Sequence, residues 1–117
     1  MTTLKEKLFE KIEQHRPRTE KLVKDHKDVV VDNITIGQVI GGMRGVKSLV
    51  TDISYLDPNE GIRYRGYTLP EVFKKLPKPR NAEMPYVEGL FYLLLTGDIP
   101  SDEEVSDVAD EFSKRRI

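Results

Sequence analysis

Apolar and polar positions divide the chain into a helical first part, a short extended middle and a helical last part. At the start, three aliphatic residues are spaced by four: Leu4, Leu8 and Ile12. Charged side chains fill most positions between them, and this pattern predicts an amphipathic helix over residues 3–15. Pro17 has no amide proton, so we expect a kink or a restart there, followed by a second helical run to about residue 27.

The middle of the chain begins with three consecutive valines at residues 29–31, which favour extended chain. Asp32 or Asn33 can cap a short helix over residues 34–40, because both side chains accept hydrogen bonds from the first free amides of a helix. Gly41 follows this segment and is the predicted stop.

Alternating apolar and polar residues then predict two strands, at about residues 48–55 and 61–67, that form an antiparallel hairpin. The connecting turn is predicted at residues 57–61. Pro58 fixes φ at its first central position, and Gly61 accepts a positive φ at its exit.

The last part of the chain predicts three helices separated by turn residues. Thr68 and Ser101 are the candidate N-caps of the first and third, and Glu104 completes a capping box with Ser101. Gly97 is the candidate stop of the second helix. The predicted bounds are residues 69–76, with Pro70 near the start, residues 86–96, and residues 102 onward, with a loop over 77–81.

The second of these helices is apolar on every face over residues 90–95, so we expect it to be buried on all sides. The third carries a single apolar stripe, made of Val105, Val108, Ala109 and Phe112. These patterns together predict a fold that is mainly α with one small antiparallel β-hairpin.

Composition narrows the function classes. The 19 basic and 20 acidic residues nearly cancel, so no clustered basic face points to nucleic acid. The absence of cysteine excludes disulfides, thiolate catalysis and cysteine-bound zinc. Acidic residues are common over residues 1–14, unlike a mitochondrial presequence, and the longest apolar run is too short to cross a bilayer. We therefore expect a cytoplasmic protein with no membrane partner.

Few side chains are candidates for chemistry. His15 and His26 lie in a charged segment away from any nucleophile or ligand cluster, so we interpret them as surface residues. The acidic run at residues 102–104 begins a predicted helix, where it complements the helix dipole. No metal-ligand motif is present.

The arginines of the hairpin segment allow two interpretations. Alternation places Arg63 and Arg65 on one strand face, where they either grip an anion or pair with local acids such as Asp52 and Glu60. We favour the local pairing. Arg44 differs because it stands between glycines, and its planar fork suits phosphate recognition. From the residues alone, a ligand contact and a structural role for Arg44 are equally open.

Three blocks of sequence resemble citrate synthases of the type found in mitochondria and some bacteria. They are Gly41-Gly42-Met43-Arg44-Gly45, residues 56–66 (LDPNEGIRYRG) and residues 88–97 (EGLFYLLLTG), the last followed by Ile99-Pro100. The chain departs from the family's usual residues at Tyr92, where tryptophan is common, and at Val87, where proline is common.

The resemblance implies an activity and a role for one residue. Family members condense acetyl-CoA with oxaloacetate to citrate and CoA, using an aspartate and two histidines that no position in this chain matches. The resemblance therefore implies no catalytic residue here and no permanently bound cofactor. It assigns Arg44 to the coenzyme A phosphate site, so acetyl-CoA, or CoA as product, is the expected ligand.

The resemblance also implies an architecture. Residues 1–117 are expected to be the N-terminal segment of the family's helical large domain, inactive alone and homodimeric at full length. Two alternatives stay open: a 2-methylcitrate synthase, which uses propionyl-CoA, and a small helical interaction domain without catalysis.

Overall fold

The computed structural model describes residues 3–116, and within them it has five helices and a three-stranded antiparallel sheet. The predicted fold class is confirmed, since about half of these residues are helical. In chain order the elements are α1 (Leu4–His26), α2 (Ile36–Ile40), β1 (Ser54–Asp57), β2 (Gly61–Tyr64), β3 (Tyr67–Thr68), α3 (Leu69–Lys75), α4 (Val87–Thr96) and α5 (Asp102–Lys114).

The chain divides into two compact units. The larger unit, here called the core unit, comprises residues 3–13 and 52–116 of the described chain, and the second unit comprises residues 14–51. The division falls within α1, so the first half of that helix belongs to the core unit and the second half to the 14–51 unit.

Helix α1 is continuous from Leu4 to His26, so the helix does not restart after Pro17. A proline inside a helix removes one backbone hydrogen bond and crowds the preceding turn, at a cost of about 3 kcal/mol. The residues on both sides are mostly glutamate, lysine and arginine, which favour helix. The start is fixed locally, because the Thr3 amide donates to Glu6 Oε2 at 2.9 Å and the Glu6 amide donates to Thr3 Oγ1 at 3.3 Å.

In the 14–51 unit, α2 begins later than predicted. Thr35 caps it, not Asp32 or Asn33. The Gln38 amide donates to Thr35 Oγ1 at 3.2 Å, and the Thr35 amide donates to Gln38 Oε1 at 3.0 Å. Gly41 ends the helix as predicted. Thr35 and Gln38 form a capping box, in which two backbone amides find acceptors. A lone aspartate or asparagine cap provides an acceptor for only one amide, so the helix starts after Thr35.

The hairpin is confirmed, but the first strand is shorter than predicted and a third strand joins it. β1 begins at Ser54, which pairs with Tyr64 of β2. Residues 48–53 have no strand structure, and neither do the valines at 29–31. β3 was not foreseen, because Tyr67 was assigned to the end of the second strand and Thr68 to the cap of the next helix.

The predicted turn at residues 57–61 is present. The amides of Asn59 and Glu60 donate to Asp57 Oδ1 at 2.8 and 2.9 Å. The bond from the Glu60 amide has the larger effect in lowering the pKa of Asp57, and the bond from the Asn59 amide lowers it further. Gly61 has φ 89°, a left-handed conformation that suits glycine.

The predicted placement of Arg65 on a strand is wrong. β2 ends at Tyr64, and Arg65 has φ 49° and Gly66 φ 85°. Two consecutive residues in the left-handed region reverse the chain direction, as the tight turns of hairpins require. The turn leads into β3, which pairs Tyr67 with Tyr64.

The three predicted helices of the last part are confirmed, with their caps. Thr68 precedes α3, and its amide donates to Glu71 Oε2 at 2.8 Å. Gly97 ends α4 with φ 81°. Ser101 caps α5, with the Glu104 amide donating to Ser101 Oγ at 3.2 Å.

The hydrophobic core of the core unit lies where α3 and α4 meet the sheet. Val72, Leu76 and Leu93 form it, with Tyr64 and Tyr67 packed against them. In α5, Val105 and Val108 are buried, as the apolar stripe predicts.

Burial of residues 90–95 on every side is not observed. Tyr92 and Leu93 are buried, but Phe91 is 37% exposed. Phe91 packs edge-on against Phe112 of α5, with ring centroids 5.0 Å apart. The outer face of α4 is therefore only half covered within residues 3–116.

An ion pair joins the first half of α1 to the turn between α4 and α5. Lys11 Nζ donates to Asp98 Oδ1 at 2.9 Å, and Lys7 Nζ lies 3.6 Å from Asp98 Oδ2. The bond from Lys11 lowers the pKa of Asp98, against the opposing effect of partial burial.

Low pH should weaken the ion pair between Asp98 and the lysines of α1. Because the pKa of Asp98 is lowered in the folded state, its stabilising effect is present above the carboxyl's unfolded pKa and is lost as pH falls through the folded pKa. We expect Asp98→Asn to lower the thermal unfolding midpoint at neutral pH, and the difference from the parent protein to disappear in acid.

The matched control is Asp110→Asn, at an exposed position of α5. It should leave the pH dependence of the unfolding midpoint unchanged. A loss for Asp98→Asn that is the same at every pH would show that the ionised carboxylate does not provide the attachment.

Candidate functional site

The candidate site is the segment at residues 41–47, here called the glycine turn, which follows α2. The amide of Met43 donates to Gln38 O at 2.7 Å, and that of Gly42 to Val39 O at 3.3 Å. This pair of bonds is a Schellman ending, which uses a left-handed residue just past the helix. Gly42 occupies that position with φ 79°. The start of the glycine turn is thus fixed by the way α2 ends.

Arg44 projects from the middle of the glycine turn and is exposed. Its neighbours Met43 and Gly45 have φ 61° and 73°. Left-handed backbone on both sides of Arg44 directs the chain sharply around it, and a non-glycine residue such as Met43 rarely adopts it. Within residues 3–116 the Arg44 guanidinium has no hydrogen bond or ion pair. The arrangement presents a cation outward with none of its donors used.

Arg63 makes the local contacts that the sequence favoured. Its Nε donates to Glu60 Oε2 at 3.2 Å, and its Nη1 donates to Gly66 O at 3.1 Å. The hydrogen bond and charge of Glu60 raise the pKa of Arg63. This side chain fixes the hairpin and has few donors left for a ligand.

Arg65 also pairs locally, and it has a second role that the sequence did not predict. Its Nη1 donates to Asp52 Oδ1 at 3.1 Å, while Nε and Nη2 donate to Leu94 O at 3.0 and 2.7 Å. Nη2 also donates to Leu95 O at 3.1 Å. The side chain is 15% exposed. Arg65 therefore caps the C-terminal end of α4, where carbonyls lack partners within the helix and positive charge is favourable.

No sequence signal could have identified this cap. Arg65 and Leu94 are 29 residues apart, so the contact exists only once the sheet packs on α4. The pairing of Arg65 with Asp52 could be predicted, because the two residues lie on the two strands of the predicted hairpin.

The other titratable candidates are structural. His15 and His26 are both exposed, as interpreted from the sequence. Glu104 lies in the first turn of α5, and its carboxylate accepts bonds from the Ser101 amide and from the buried Tyr92 hydroxyl. Burial raises the pKa of Tyr92, and the bond to Glu104 raises it further. This acid holds α4 to α5.

Neither a metal site nor a membrane span is found in the part of the chain that the structure describes. Within residues 3–116, no three histidine, aspartate or glutamate side chains come together in a way that could hold a metal ion. None of the helices there combines the length and hydropathy needed to cross a bilayer.

Comparison with known proteins identifies similar sequences over almost the whole chain. Residues 42–117 match the family model described as "Citrate synthase, C-terminal domain". The chain is 43% identical over 114 residues to a "Probable citrate synthase, mitochondrial" of Caenorhabditis elegans. It is 46% identical over 113 residues to a "Citrate synthase, mitochondrial" of Neurospora crassa, and equally similar to that of Emericella nidulans.

These matches cover 97% of this chain but only 24% of each relative. The chain therefore spans about a quarter of the length of the curated relatives it matches. The assignment of residues 1–117 to an N-terminal segment of the large domain stays a prediction, because a share of length does not give a position.

The cytoplasmic location expected from the sequence is wrong by this comparison, since the similar relatives are named as mitochondrial. The expectation relied on the acidic residues among residues 1–14. The composition of that stretch describes only the stretch itself, and it carries no information on how a longer protein is targeted.

The cap on α4 yields a stability prediction. Arg65→Ala should lower the free energy of unfolding by about 2 kcal/mol, because the carbonyls of Leu94 and Leu95 lose a charged donor in a half-buried place. Arg65→Lys should recover only part of the loss, since an ammonium group cannot reproduce the fork. Denaturant unfolding measures both variants.

Arg63→Ala is the matched control. Arg63 lies two residues away and is more exposed, with 35% of its side chain accessible, so its removal should cost clearly less than that of Arg65. Equal losses for the two alanine variants would contradict a special role for the α4 cap.

Proposed function

Because this chain belongs to the citrate synthase family, we propose that it forms part of an enzyme that condenses acetyl-CoA with oxaloacetate to give citrate and CoA. The methyl carbon of acetyl-CoA adds to the ketone carbon of oxaloacetate, and hydrolysis of the thioester then releases CoA. Coenzyme A is thus substrate and product, and no permanently bound cofactor is needed. The homodimer that the resemblance implies belongs to the same proposal.

The single observation that supports a role for this segment is the presentation of Arg44. Its guanidinium is exposed on the glycine turn, and no acid within residues 3–116 pairs with it. Arginine binds phosphate through parallel hydrogen bonds from a planar fork. We assign Arg44 to a phosphate group of the coenzyme, while residues outside this chain provide the groups that transfer protons.

Arg44→Ala in the full-length enzyme should raise the KM for acetyl-CoA by about ten- to a hundredfold, because a hydrogen bond to a charged group is worth about 1.5–3 kcal/mol. The affinity for oxaloacetate in the absence of coenzyme should stay the same. Arg44→Lys should recover part of the loss, since lysine keeps the charge but not the fork. Steady-state kinetics with acetyl-CoA varied give the comparison.

Arg63→Ala is the control here too. Because Arg63 is hydrogen-bonded to Glu60, its substitution should lower stability more than it weakens acetyl-CoA binding. An unchanged KM in a folded Arg44→Ala enzyme would assign Arg44 a structural role. The same assays with propionyl-CoA decide between citrate and 2-methylcitrate synthesis, because the preferred acyl group has the higher kcat/KM.

The 117-residue chain alone should be inactive. General acid–base catalysis needs groups positioned at the reacting carbon, and the family's aspartate and histidines match no position here. An assay for released thiol with acetyl-CoA and oxaloacetate checks this. Turnover above background that a substitution in this chain abolishes would contradict the division of roles proposed above.

A further inference from the structure

The glycine turn carries a second cation that the proposed function does not use. Lys47 lies three residues after Arg44, and both are exposed. Residues 33–51 contain no aspartate or glutamate, so these two side chains give the segment a local charge with no acid to balance it. The two flanking acids, Asp32 and Asp52, accept bonds from the Asn33 amide and from Arg65.

The backbone of the glycine turn adds donors to this charge. The bonds from Gly42 and Met43 satisfy carbonyls at the end of α2, and the Val46 amide donates to Met43 O at 3.1 Å. The amides of Arg44, Gly45 and Lys47 have no acceptor within residues 3–116. Within residues 3–116 the carbonyls of Gly41 and Gly42 accept no backbone hydrogen bond either, so free acceptors come first after α2 and free donors follow from Arg44.

The free amides of Arg44 and Gly45 lie where φ changes sign along the chain. Gly45 has φ 73°, whereas Arg44 is not among the residues with positive φ. With the Val46 amide bonded to Met43 O, these φ values fit a type II turn whose two central residues are Arg44 and Gly45, and both central amides are free. The free amides therefore lie in the same turn as Arg44, and Lys47 follows Arg44 by three residues.

We propose that Lys47 is a second cation for the coenzyme phosphate that Arg44 binds, and that the amides of Arg44 and Gly45 complete the site. This inference rests on the proposed function and assigns specificity for a phosphorylated ligand to the glycine turn as a whole. Lys47 acts as a point charge beside the fork of Arg44, so its charge matters more than its geometry.

The test uses the full-length enzyme and measures the Kd of CoA and the KM of acetyl-CoA. Lys47→Ala should raise both by up to about fivefold, the range of an exposed ion pair, with kcat unchanged. Lys47→Arg should behave like the parent enzyme. Lys78→Ala removes an exposed lysine of the loop at residues 77–81 and should change neither constant. Raising the salt concentration should reduce the effect of Lys47→Ala, because exposed charges are screened.

Acetyl-dephospho-CoA, which lacks the ribose phosphate and keeps the pyrophosphate, identifies the group that is bound. If the effect of Lys47→Ala disappears with this analogue, Lys47 binds the phosphate monoester. If it persists, Lys47 binds the pyrophosphate. Both results support the inference.

The inference and the proposed function fail in different ways. A normal Kd and KM in Lys47→Ala, with a clear loss in Arg44→Ala, would overturn the role of Lys47 and leave the assignment of Arg44 intact. Normal constants in both variants would reject the glycine turn as a phosphate site altogether.

Discussion

The packing of the core unit depends on the cap that Arg65 places on the end of α4. Its guanidinium donates to the carbonyls of Leu94 and Leu95 and to Asp52, so one side chain joins the sheet, the preceding loop and a helix end. An uncapped helix end in this half-buried place would leave polar groups without partners. The left-handed backbone at Arg65 ends β2 and starts the turn into β3. The same residue therefore ends a strand through its backbone and caps α4 through its side chain.

Local signals predicted most of the elements, and what was missed has both local and long-range causes. Caps such as Ser101 and stops such as Gly97 were predicted correctly because each acts within a few residues. A restart after Pro17 was one predicted outcome, and it does not occur because helix-favouring residues on both sides offset the cost of one proline. The Arg65 cap could not be predicted, since it requires a contact across 29 residues.

The candidate site was partly predictable. Arg44 was a candidate because it stands in a glycine-rich segment. In the structure, the residues on both sides of it, Met43 and Gly45, have left-handed backbone. Gly41 was predicted as the stop of α2, but the left-handed residue of the Schellman ending is Gly42, one position later. The free amides depend on the hydrogen bonds of the turn, which no residue pattern specifies.

The helix starts have a consequence for how the chain folds. At α1, α2, α3 and α5, a threonine or serine exchanges bonds with, or donates to, a glutamate or glutamine three residues later. Nucleation is the costly step of helix formation, because several residues are ordered for a single backbone bond. Partners three residues apart reduce that cost without any distant contact. The starting residue of these four helices is therefore specified by local bonds alone, independently of long-range contacts such as that of Arg65 with α4.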